Sequence, residues 1–374
     1  MRQTLFIGLM VALGCTSGGG DETAGSTGAA SADTTATPTT GADTGEAPTG
    51  GTTTASVGST SGAAETTAGE ATSEDTNVET TAGDATSEDT TTGVAAGPVL
   101  LVCSFIADSV TRFDLATGEF LGELGASEDL DGALGVTVGP DGDIYVASEE
   151  ANMVLRYDGA SGAFVGRFVW DDPQTPDDET GGLSGPGAVL FGPDGMLYVS
   201  SFDSDAVLRY DGATGAFDSV FVAEGSGGLN GPDAGMVFGP GGDLFVPGYY
   251  SNTVSRFAGA TGDPLPNFTP TDLLQEPRTL VFHEGYLYVA NEGSDEVLRY
   301  DGATGEFVDV FVAAGAGGLS APAGMVFGPD GVLHVASVNT NTVLRYDADG
   351  APLPGLIDGP GAGIAGPTHI ALLP

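Results

Sequence analysis

The sequence predicts an all-β protein: one six-bladed β-propeller with four antiparallel strands per blade, carried on a disordered N-terminal linker. Three observations predict this fold class. A strand-turn-strand unit built around Val-Leu-Arg-Tyr-Asp-Gly recurs through the C-terminal three quarters of the chain. Successive copies are mostly 40 to 50 residues apart, which is the length of one propeller blade. No segment shows helical periodicity, so strands alone must build the repeat.

One arginine marks each copy of this unit. The six positions are Arg112, Arg156, Arg209, Arg256, Arg299 and Arg345, at intervals of 44, 53, 47, 43 and 46 residues. A residue that recurs once per blade serves a shared packing need. We therefore expect each arginine to lay its stem across apolar neighbours and to pair its guanidinium with an acid or a backbone carbonyl.

Each repeat contains two hairpins, which gives four strands. In the last repeat a Gly-Pro-Asp-Gly turn joins strand A (Met325 to Phe327) to strand B (Leu333 to Ser337). This turn chemistry works because Pro fixes φ and Gly accepts positive φ. Strand C (Thr342 to Tyr346) follows, and strand D comes after an Asp-Gly-x-Thr/Ser-Gly turn, as at Phe307 to Val312.

The ends of the repeat region predict how the ring closes. The first strand, Val99 to Phe105, is a B strand without an A strand before it, and the last, Thr368 to Leu372, is an A strand with nothing after it. Pairing them completes one blade from both ends and leaves few exposed sheet edges. The propeller then spans residues 98–374, about 46 residues per blade.

Residues 1–15 predict an export signal. Arg2 precedes an apolar run from Leu5 to Leu13, and small residues lead directly to Cys15. This order resembles a bacterial lipoprotein signal peptide, in which Cys15 would be diacylated. Lipoboxes usually have Leu three residues before the cysteine, where this chain has Ala12. The alternative is an ordinary cleaved signal peptide with an incidental cysteine.

Residues 16–97 predict a disordered linker. They are almost entirely Thr, Gly, Ala, Ser, Glu and Asp, with 13 acids and no aromatic residue. Such a stretch cannot bury enough apolar surface to offset the entropy of ordering it. We expect an exported protein that is lipid-anchored to the cell envelope. Thr16 after the cysteine favours the outer membrane or the cell surface.

The formal charge of −43 excludes some partners. All nine basic residues are Arg, so the surface repels nucleic acid and anionic lipid headgroups and attracts cations and basic partners. A halophilic or marine source would also explain the charge, which is spread over the whole chain. Contact with the membrane is therefore expected only through the lipid, and we expect a monomer. Cys103 lies in an apolar run, which favours a buried, inert thiol.

The repeat resembles a known group of propellers. The segment Gly-Pro-Asp-Gly-Asp-Ile-Tyr-Val-Ala-Ser148, followed by Asn152 and by Val-Leu-Arg-Tyr-Asp158, is similar to NHL repeats. The wider six-bladed group includes the SMP-30/gluconolactonase-like and virginiamycin B lyase-like proteins. The resemblance covers residues 98–374 and implies the fold. It does not choose an activity, because the group contains Ca²⁺-dependent lactonases, lyases and pure binding scaffolds.

Functional side chains are expected where strand A enters the central channel. The B-to-C loops and D-to-A connections there are rich in oxygen donors. The candidate ligand-binding residues are Arg278, Glu276, Glu149, Asp203, Asn252 and Asn339. Arg278 is the one arginine near a channel entrance outside the six repeats; it would bind an anion or pair with Glu276.

A Ca²⁺ site is a second expectation for this face. The lactonase-like resemblance implies a metal held by Glu, Asn and Asp around the channel, and Glu292, Asn291 and Asp233 are the candidate ligands. The starts of the A strands hold mostly Pro, Gly and Ala, which departs from that pattern. The alternative is that an acidic protein simply places acids on every loop.

Catalytic residues stay unassigned. Of the three histidines, His283 lies in a turn opposite the channel entrance, His334 replaces a repeated tyrosine as a packed ring, and His369 in the last A strand is a candidate to face the channel. No nucleophile-base arrangement is recognisable. We therefore favour an envelope-anchored scaffold that binds a protein, glycan or small-molecule ligand through its acidic loop face. The alternative is a Ca²⁺-dependent lactonase-like or lyase-like enzyme; a redox propeller has little support because Trp170 is the single tryptophan.

Overall fold

A computed structural model describes residues 97–270, 272–359 and 362–374. The predicted signal peptide with Cys15 and nearly all of the predicted linker lie outside the described residues. The described chain forms 23 strands in six antiparallel sheets. Within these ranges no helix is long and apolar enough to cross a membrane.

The six sheets are the blades of a ring. Blade 1 contains β1 (Val99–Ser104), β2 (Ser109–Asp114), β3 (Phe120–Glu123) and β23 (Pro367–Leu373). Blade 2 contains β4 (Ala133–Val138), β5 (Ile144–Ser148), β6 (Met153–Tyr157) and β7 (Phe164–Val169), and blade 3 contains β8 (Pro186–Phe191), β9 (Leu197–Ser201), β10 (Ala206–Tyr210) and β11 (Phe217–Val222). Blade 4 contains β12 (Val237–Phe238), β13 (Leu244–Gly248), β14 (Thr253–Phe257) and β15 (Pro264–Leu265), and blade 5 contains β16 (Pro277–His283), β17 (Tyr286–Asn291), β18 (Glu296–Asp301) and β19 (Phe307–Val312). Blade 6 contains β20 (Pro322–Phe327), β21 (Leu333–Ser337) and β22 (Thr342–Tyr346), and short 3-10 turns lie at Phe202–Ser204, Ser226–Gly228, Glu292–Ser294, Ala316–Gly318 and Val338–Thr340.

The predicted propeller is confirmed, including the way it closes. The C-terminal strand β23 pairs antiparallel with β1, in the register Val99↔Leu373 to Val102↔Ile370. One blade is therefore assembled from both ends of the domain, so separating the termini would open the ring. The B and C strands expected in the last repeat coincide with β21 and β22, and the expected A strand is the second half of β20, which begins at Pro322.

Blade 6 departs from four regular strands. Its outer position is occupied by two isolated bridges, Val343↔Ile357 and Tyr346↔Pro352, instead of a continuous strand. Pro352 and Pro354 lie in this segment, and a proline cannot donate to a strand ladder. The prolines therefore keep the outer edge of this blade from forming a continuous strand.

Aromatic rings lock neighbouring blades together. Tyr145 of blade 2 packs edge-on against Phe168 of its own blade and Phe191 of blade 3, with centroids 4.8 and 4.9 Å apart. The same trio recurs between the following blades, and edge-to-face packing favours one fixed orientation. Cys103 is fully buried, as predicted, and burial raises the pKa of its thiol.

The repeated arginines mostly have the predicted role. Those in blades 2 to 5 pair with aspartates, as in Arg156 with Asp141 and Asp143, and they lie over aromatic rings. Arg345 donates to the carbonyl of Pro354, 2.8 Å away. Arg112 is the exception, since its buried Nε has no hydrogen-bond partner among the described residues. The expectation is thus confirmed for five of the six positions.

A sixfold set of side-chain hydrogen bonds links each blade to the next; we call these the clasps. Each clasp residue is an Asp or Asn at the end of a B-to-C loop, in the left-handed conformation with φ between 47° and 58°. Its side-chain oxygen accepts the backbone N–H of the D-to-A connection that enters the next blade, at 2.6 to 2.8 Å. The pairs are Asp108 with Gly132, Asn152 with Gly185, Asp205 with Gly231, Asn252 with Glu276, Asp295 with Ala321, and Asn341 with Gly366. The clasps hold together the loops that form one face of the ring.

Candidate functional site at the channel mouth

The channel mouth is the face where the B-to-C loops and D-to-A connections meet, and the inner strands of blades 4 and 5 differ there from the repeat. In blade 4, Pro232 bridges to Gly248, and five residues lie between Pro232 and Phe238. Only four residues lie between the two ends of β8 in blade 3, so blade 4 has one residue more. The extra residue accommodates Asp233. In blade 5, Arg278 directly follows Pro277, as Asp233 directly follows Pro232. The two departures from the repeat therefore lie beside each other in adjacent blades.

Arg278 is a buried cation held between two carboxylates. Its Nη1 donates to Oε2 of Glu292 at 2.7 Å, and its Nε lies 3.2 Å from Oδ2 of Asp233. The side chains of Arg278 and Asp233 are 6% and 3% exposed. A buried guanidinium without partners would be strongly destabilising, so the two acids are a requirement for placing Arg278 here. Burial alone would lower the pKa of Arg278, but the two carboxylates raise it, so the guanidinium stays charged.

Glu149 adds a further carboxyl group to the mouth. It lies at the start of the B-to-C loop of blade 2, in the position that Glu292 holds in blade 5. Burial raises the pKa of Glu149 to about 8, and the nearby Asp233 carboxylate adds to this, while Arg278 opposes it. At neutral pH the carboxyl of Glu149 is therefore mostly protonated and can donate a hydrogen bond.

Three aromatic side chains form a ledge beside these charges. Phe202 of blade 3 packs against Tyr249 and Tyr250 of blade 4, with centroids 6.3 and 5.3 Å apart. Tyr250 is 49% exposed, whereas Phe202 is buried. The guanidinium of Arg278 lies over the ring of Tyr249, 5.7 Å from its centroid. The ledge thus presents an aromatic surface to solvent at the edge of the charged group.

His369 contributes a neutral ring close to this group. It lies on the inner strand β23, and its Nδ1 accepts the backbone N–H of Val136 at 3.4 Å. Burial, together with the charge of Arg278, lowers the pKa of His369 to about 4. The imidazole therefore stays neutral over the physiological range.

The structure groups six of the nine sequence-predicted ligand residues around Arg278 at the mouth. Arg278, Asp233, Glu292 and Glu149 form its centre, and the exposed Asp203 and Glu276 lie at its rim. Arg278 pairs with Asp233 and Glu292; Glu276 is not among the acids within salt-bridge distance of it.

The three candidate asparagines have other partners. Asn252 is a clasp residue, and Asn339 donates to Oγ of Ser320 in blade 6. Asn291 is fully buried; its amide accepts from the N–H of Gln275 and donates to the carbonyl of Leu273. In blades 2, 3 and 6 a serine hydroxyl at the end of strand B accepts the corresponding backbone N–H, so Asn291 has a structural role in holding the loop.

The two buried carboxylates at the mouth already have a cationic partner within the protein. The guanidinium of Arg278 lies between Asp233 and Glu292, two of the acids expected to hold Ca²⁺. Across residues 97–270, 272–359 and 362–374, no three His, Cys, Asp or Glu side chains are grouped so as to hold a metal ion.

Sequence reasoning identified Arg278 because it lies outside the repeat, but it missed the aromatic ledge. Phe202 and Tyr249 occupy the first position after strand B in two adjacent blades, where Glu149 and Glu292 stand in blades 2 and 5. Comparing that single position around the ring would have found the ledge and both glutamates together.

Comparison with known proteins extends only to fold. No protein-family model and no curated protein matches the chain. Among solved structures, a chain of a nidogen/laminin complex matches with a TM-score of 0.60 and 15% identity, covering 74% of this chain and 99% of that one. A protein of unknown function from Bacteroides caccae matches with a TM-score of 0.55 and 13% identity, covering 74% and 98%. Virginiamycin B lyase from Staphylococcus aureus matches with a TM-score of 0.49 and 15% identity, covering 70% and 85%. At these identities the first two matches show the fold alone, and function has to be argued from the residues of the mouth.

Proposed function

We propose that this protein is a binding module, exported and held at the cell envelope by a lipid on Cys15, whose channel mouth receives a cationic partner. The observation that carries the proposal is the composition of that face. Its basic side chains are already neutralised, since Arg278 is buried between two acids and Arg167 is paired with Asp129. Glu150, Asp203 and Glu276 are exposed at the rim.

The aromatic ledge fits the same partner. A cation is attracted to the face of an exposed tyrosine, and the attraction strengthens when carboxylates lie close by. Tyr250 is half exposed, and its pKa is raised by partial burial and by the negative charge of Asp203. A Lys or Arg side chain, or an amine on a glycan, could contact the ring and the rim carboxylates together.

Binding is favoured over catalysis because the charged groups of the mouth compensate one another. Asp233 and Glu292 are paired with Arg278, and Glu149 holds a proton, so none is a free carboxylate base next to a hydroxyl or thiol nucleophile. The clasps also fix the loops from one blade to the next. A preorganised surface of this kind lowers the entropic cost of binding a partner.

A lactonase-like or lyase-like enzyme is the second candidate, and one observation favours it. A carboxyl with a pKa of about 8 at a channel mouth has the proton affinity of a general acid. Turnover of a lactone or ester by the full chain with added Ca²⁺, lost in Glu149→Gln, would establish that activity and overturn the non-catalytic proposal.

The binding proposal is tested with a decalysine peptide as probe and decaglutamate as control. We expect the full chain to bind decalysine with an affinity that falls as salt rises, and not to bind decaglutamate. Asp203→Asn combined with Glu276→Gln should weaken binding about fivefold, and Tyr250→Ala by a similar factor. Glu119→Gln combined with Glu306→Gln removes two exposed acids from turns on the opposite face and serves as the matched control for the double rim variant. Equal losses for the rim and control variants would show that net charge alone attracts the peptide and would overturn the site.

A further inference from the structure

A cavity lies on the face opposite the mouth, between blades 4 and 5. Its volume is about 580 Å³, and it lies among the A-to-B turns of both blades and the C-to-D turn of blade 5. Three phenylalanines and one ion pair dominate its lining: Phe245, Phe268, Phe282, Arg256 and Asp243. This volume is in the range of small-molecule sites.

The cavity exists because blade 4 lacks two groups that blade 2 has. In blade 2 the hydroxyl of Tyr145 donates to Oδ2 of Asp141 at 2.8 Å. Blade 4 has Phe245 in place of the tyrosine and Gly241 in place of the aspartate, in the turn Gly-Pro-Gly-Gly. The phenol and its carboxylate acceptor are therefore absent together.

The aromatic rings around the missing pair keep the same packing. Phe245 packs against Phe268 and Phe282 at 4.9 and 5.0 Å, as Tyr145 packs against its own two phenylalanines at 4.8 and 4.9 Å. The aromatic walls of blade 2 are thus reproduced around an open space. A Cβ added to Gly241 would meet no atom within 4 Å, which places that space directly at the turn.

The arginine beside the cavity has one carboxylate partner, whereas the arginine of blade 2 has two. In blade 2, Arg156 donates to both Asp143 and Asp141. In blade 4, the two bonded nitrogens of Arg256, Nε and Nη2, reach a single oxygen, Oδ2 of Asp243. A carboxylate placed where Asp141 stands in blade 2 would restore the second charge-assisted hydrogen bond.

The neighbouring turn widens the opening. The A-to-B turn of blade 5 is one residue shorter than that of blade 3, because Phe282 pairs with Leu287 whereas Phe191 pairs with Leu197. His283 and the exposed Glu284 lie on this shorter turn and line the cavity. His283 is stacked on Phe327 at 3.8 Å, which holds its ring to one side.

We propose that this cavity is a binding site for a small aromatic carboxylate, whose ring contacts the three phenylalanines and whose carboxylate binds Arg256. The ligand replaces the carboxylate that blade 2 supplies from its own turn. The proposal concerns the face opposite the mouth and does not depend on the function proposed there.

The test is a calorimetric titration of the full chain with phenylacetate, and with 2-phenylethanol as the neutral analogue. A probe of about ten heavy atoms should bind with a Kd of about 1 mM. We expect 2-phenylethanol to bind at least about tenfold more weakly, because it lacks the charge-assisted hydrogen bond to Arg256.

The repeat supplies the variant that decides the question. Gly241→Asp with Phe245→Tyr rebuilds the blade 2 pair inside the cavity and should weaken phenylacetate binding at least about tenfold, with an unchanged or higher melting temperature. Gly241 does not have positive φ, so the backbone accepts Asp. Arg256→Gln, at a partly exposed position, should weaken phenylacetate and leave 2-phenylethanol unchanged, and it decides the matter if the double variant does not fold. Unchanged phenylacetate affinity in either folded variant, or no saturable binding by the unmodified chain, overturns the proposal.

Discussion

The clasp that closes the ring gives a quantitative prediction for Asn341. Its Oδ1 accepts the N–H of Gly366 at 2.7 Å and so joins blade 6 to the C-terminal strand of blade 1. Asn341→Ala leaves that part-buried N–H without its acceptor, which costs about 1 to 3 kcal/mol. Alanine must also adopt a φ of 55°, which costs about 1 kcal/mol more. We therefore expect a loss of about 2 to 4 kcal/mol in the free energy of unfolding.

Two further variants at Asn341 separate the two contributions. Asn341→Gly removes the acceptor but accepts positive φ, so it should lose only the hydrogen-bond share, about 1 to 3 kcal/mol. Asn341→Asp keeps an acceptor, and aspartate already serves in the clasps at Asp108, Asp205 and Asp295, so its stability should stay within about 0.5 kcal/mol.

The assay is equilibrium unfolding of the full chain in urea, followed by the fluorescence of its single tryptophan. The expected order of stability is the unmodified chain and Asn341→Asp, then Asn341→Gly, then Asn341→Ala. An Asn341→Asp variant as unstable as Asn341→Ala would refute the acceptor argument. Equal losses for Gly and Ala would refute the contribution from backbone strain.

Four more predictions test the mouth and the anchor. Folding raises the pKa of Glu149, so the unfolded chain loses this proton at a lower pH than the folded chain. The free energy of unfolding should therefore fall as pH rises from about 5 to 8, by at most about 1.4 kcal/mol per pH unit. Glu149→Gln should flatten this slope in unfolding experiments at several pH values. Arg278→Met should destabilise the fold by about 3 to 5 kcal/mol because Asp233 loses its partner, and adding Asp233→Asn should restore part of that loss in a double-mutant cycle. Ca²⁺ should bind weakly and with strong salt dependence, so a chelator should not lower the melting temperature; a large drop would show a real oxygen cage. Cys15→Ser should move the chain from the membrane fraction to the soluble fraction on fractionation, and retention in the membrane would contradict the lipid anchor.

The fold could be predicted from sequence because each blade repeats the same local chemistry. The Asp-Gly-x-Thr-Gly turn shows how local this information is: Oδ1 of Asp211 accepts from both the N–H and the hydroxyl of Thr214, three residues away. Turns of this kind fix their own hairpins without help from distant residues. Ring closure could be predicted as well, because the unpaired strand types at the two ends had only each other as partners.

The clasps were visible in the sequence but were assigned another role. An Asp or Asn stands two residues before the strand C valine in every repeat, as Asn152 stands before Val154. These side chains were counted only among the oxygen donors of the loops, and one of them, Asn252, was named a candidate ligand. Their sixfold recurrence is instead typical of a structural role, which is how the repeated arginines were correctly interpreted.

The partners of Arg278 could not be predicted, because they depend on how adjacent blades meet. Sequence proximity suggested Glu276, two residues away, whereas the structure pairs Arg278 with Glu292 and with Asp233 of another blade. The left-handed backbone of Glu276, with φ of 52°, belongs to a connection whose N–H is already bound by Asn252. Local spacing does not reveal where such a connection directs its side chain.

Several departures from the repeat lie at one location in the ring. At the mouth, blades 4 and 5 contribute the inserted Asp233 and Arg278; on the opposite face, they contribute Gly241, Phe245 and the shortened turn at His283. A residue that recurs in every blade answers a packing need common to all blades, so it carries little information about a ligand. The departures at the junction of blades 4 and 5 have no such common cause. They open a cavity on the face opposite the mouth and bury a paired cation at the mouth. The junction between blades 4 and 5 is therefore where we expect ligand recognition by this propeller to be concentrated, on both of its faces.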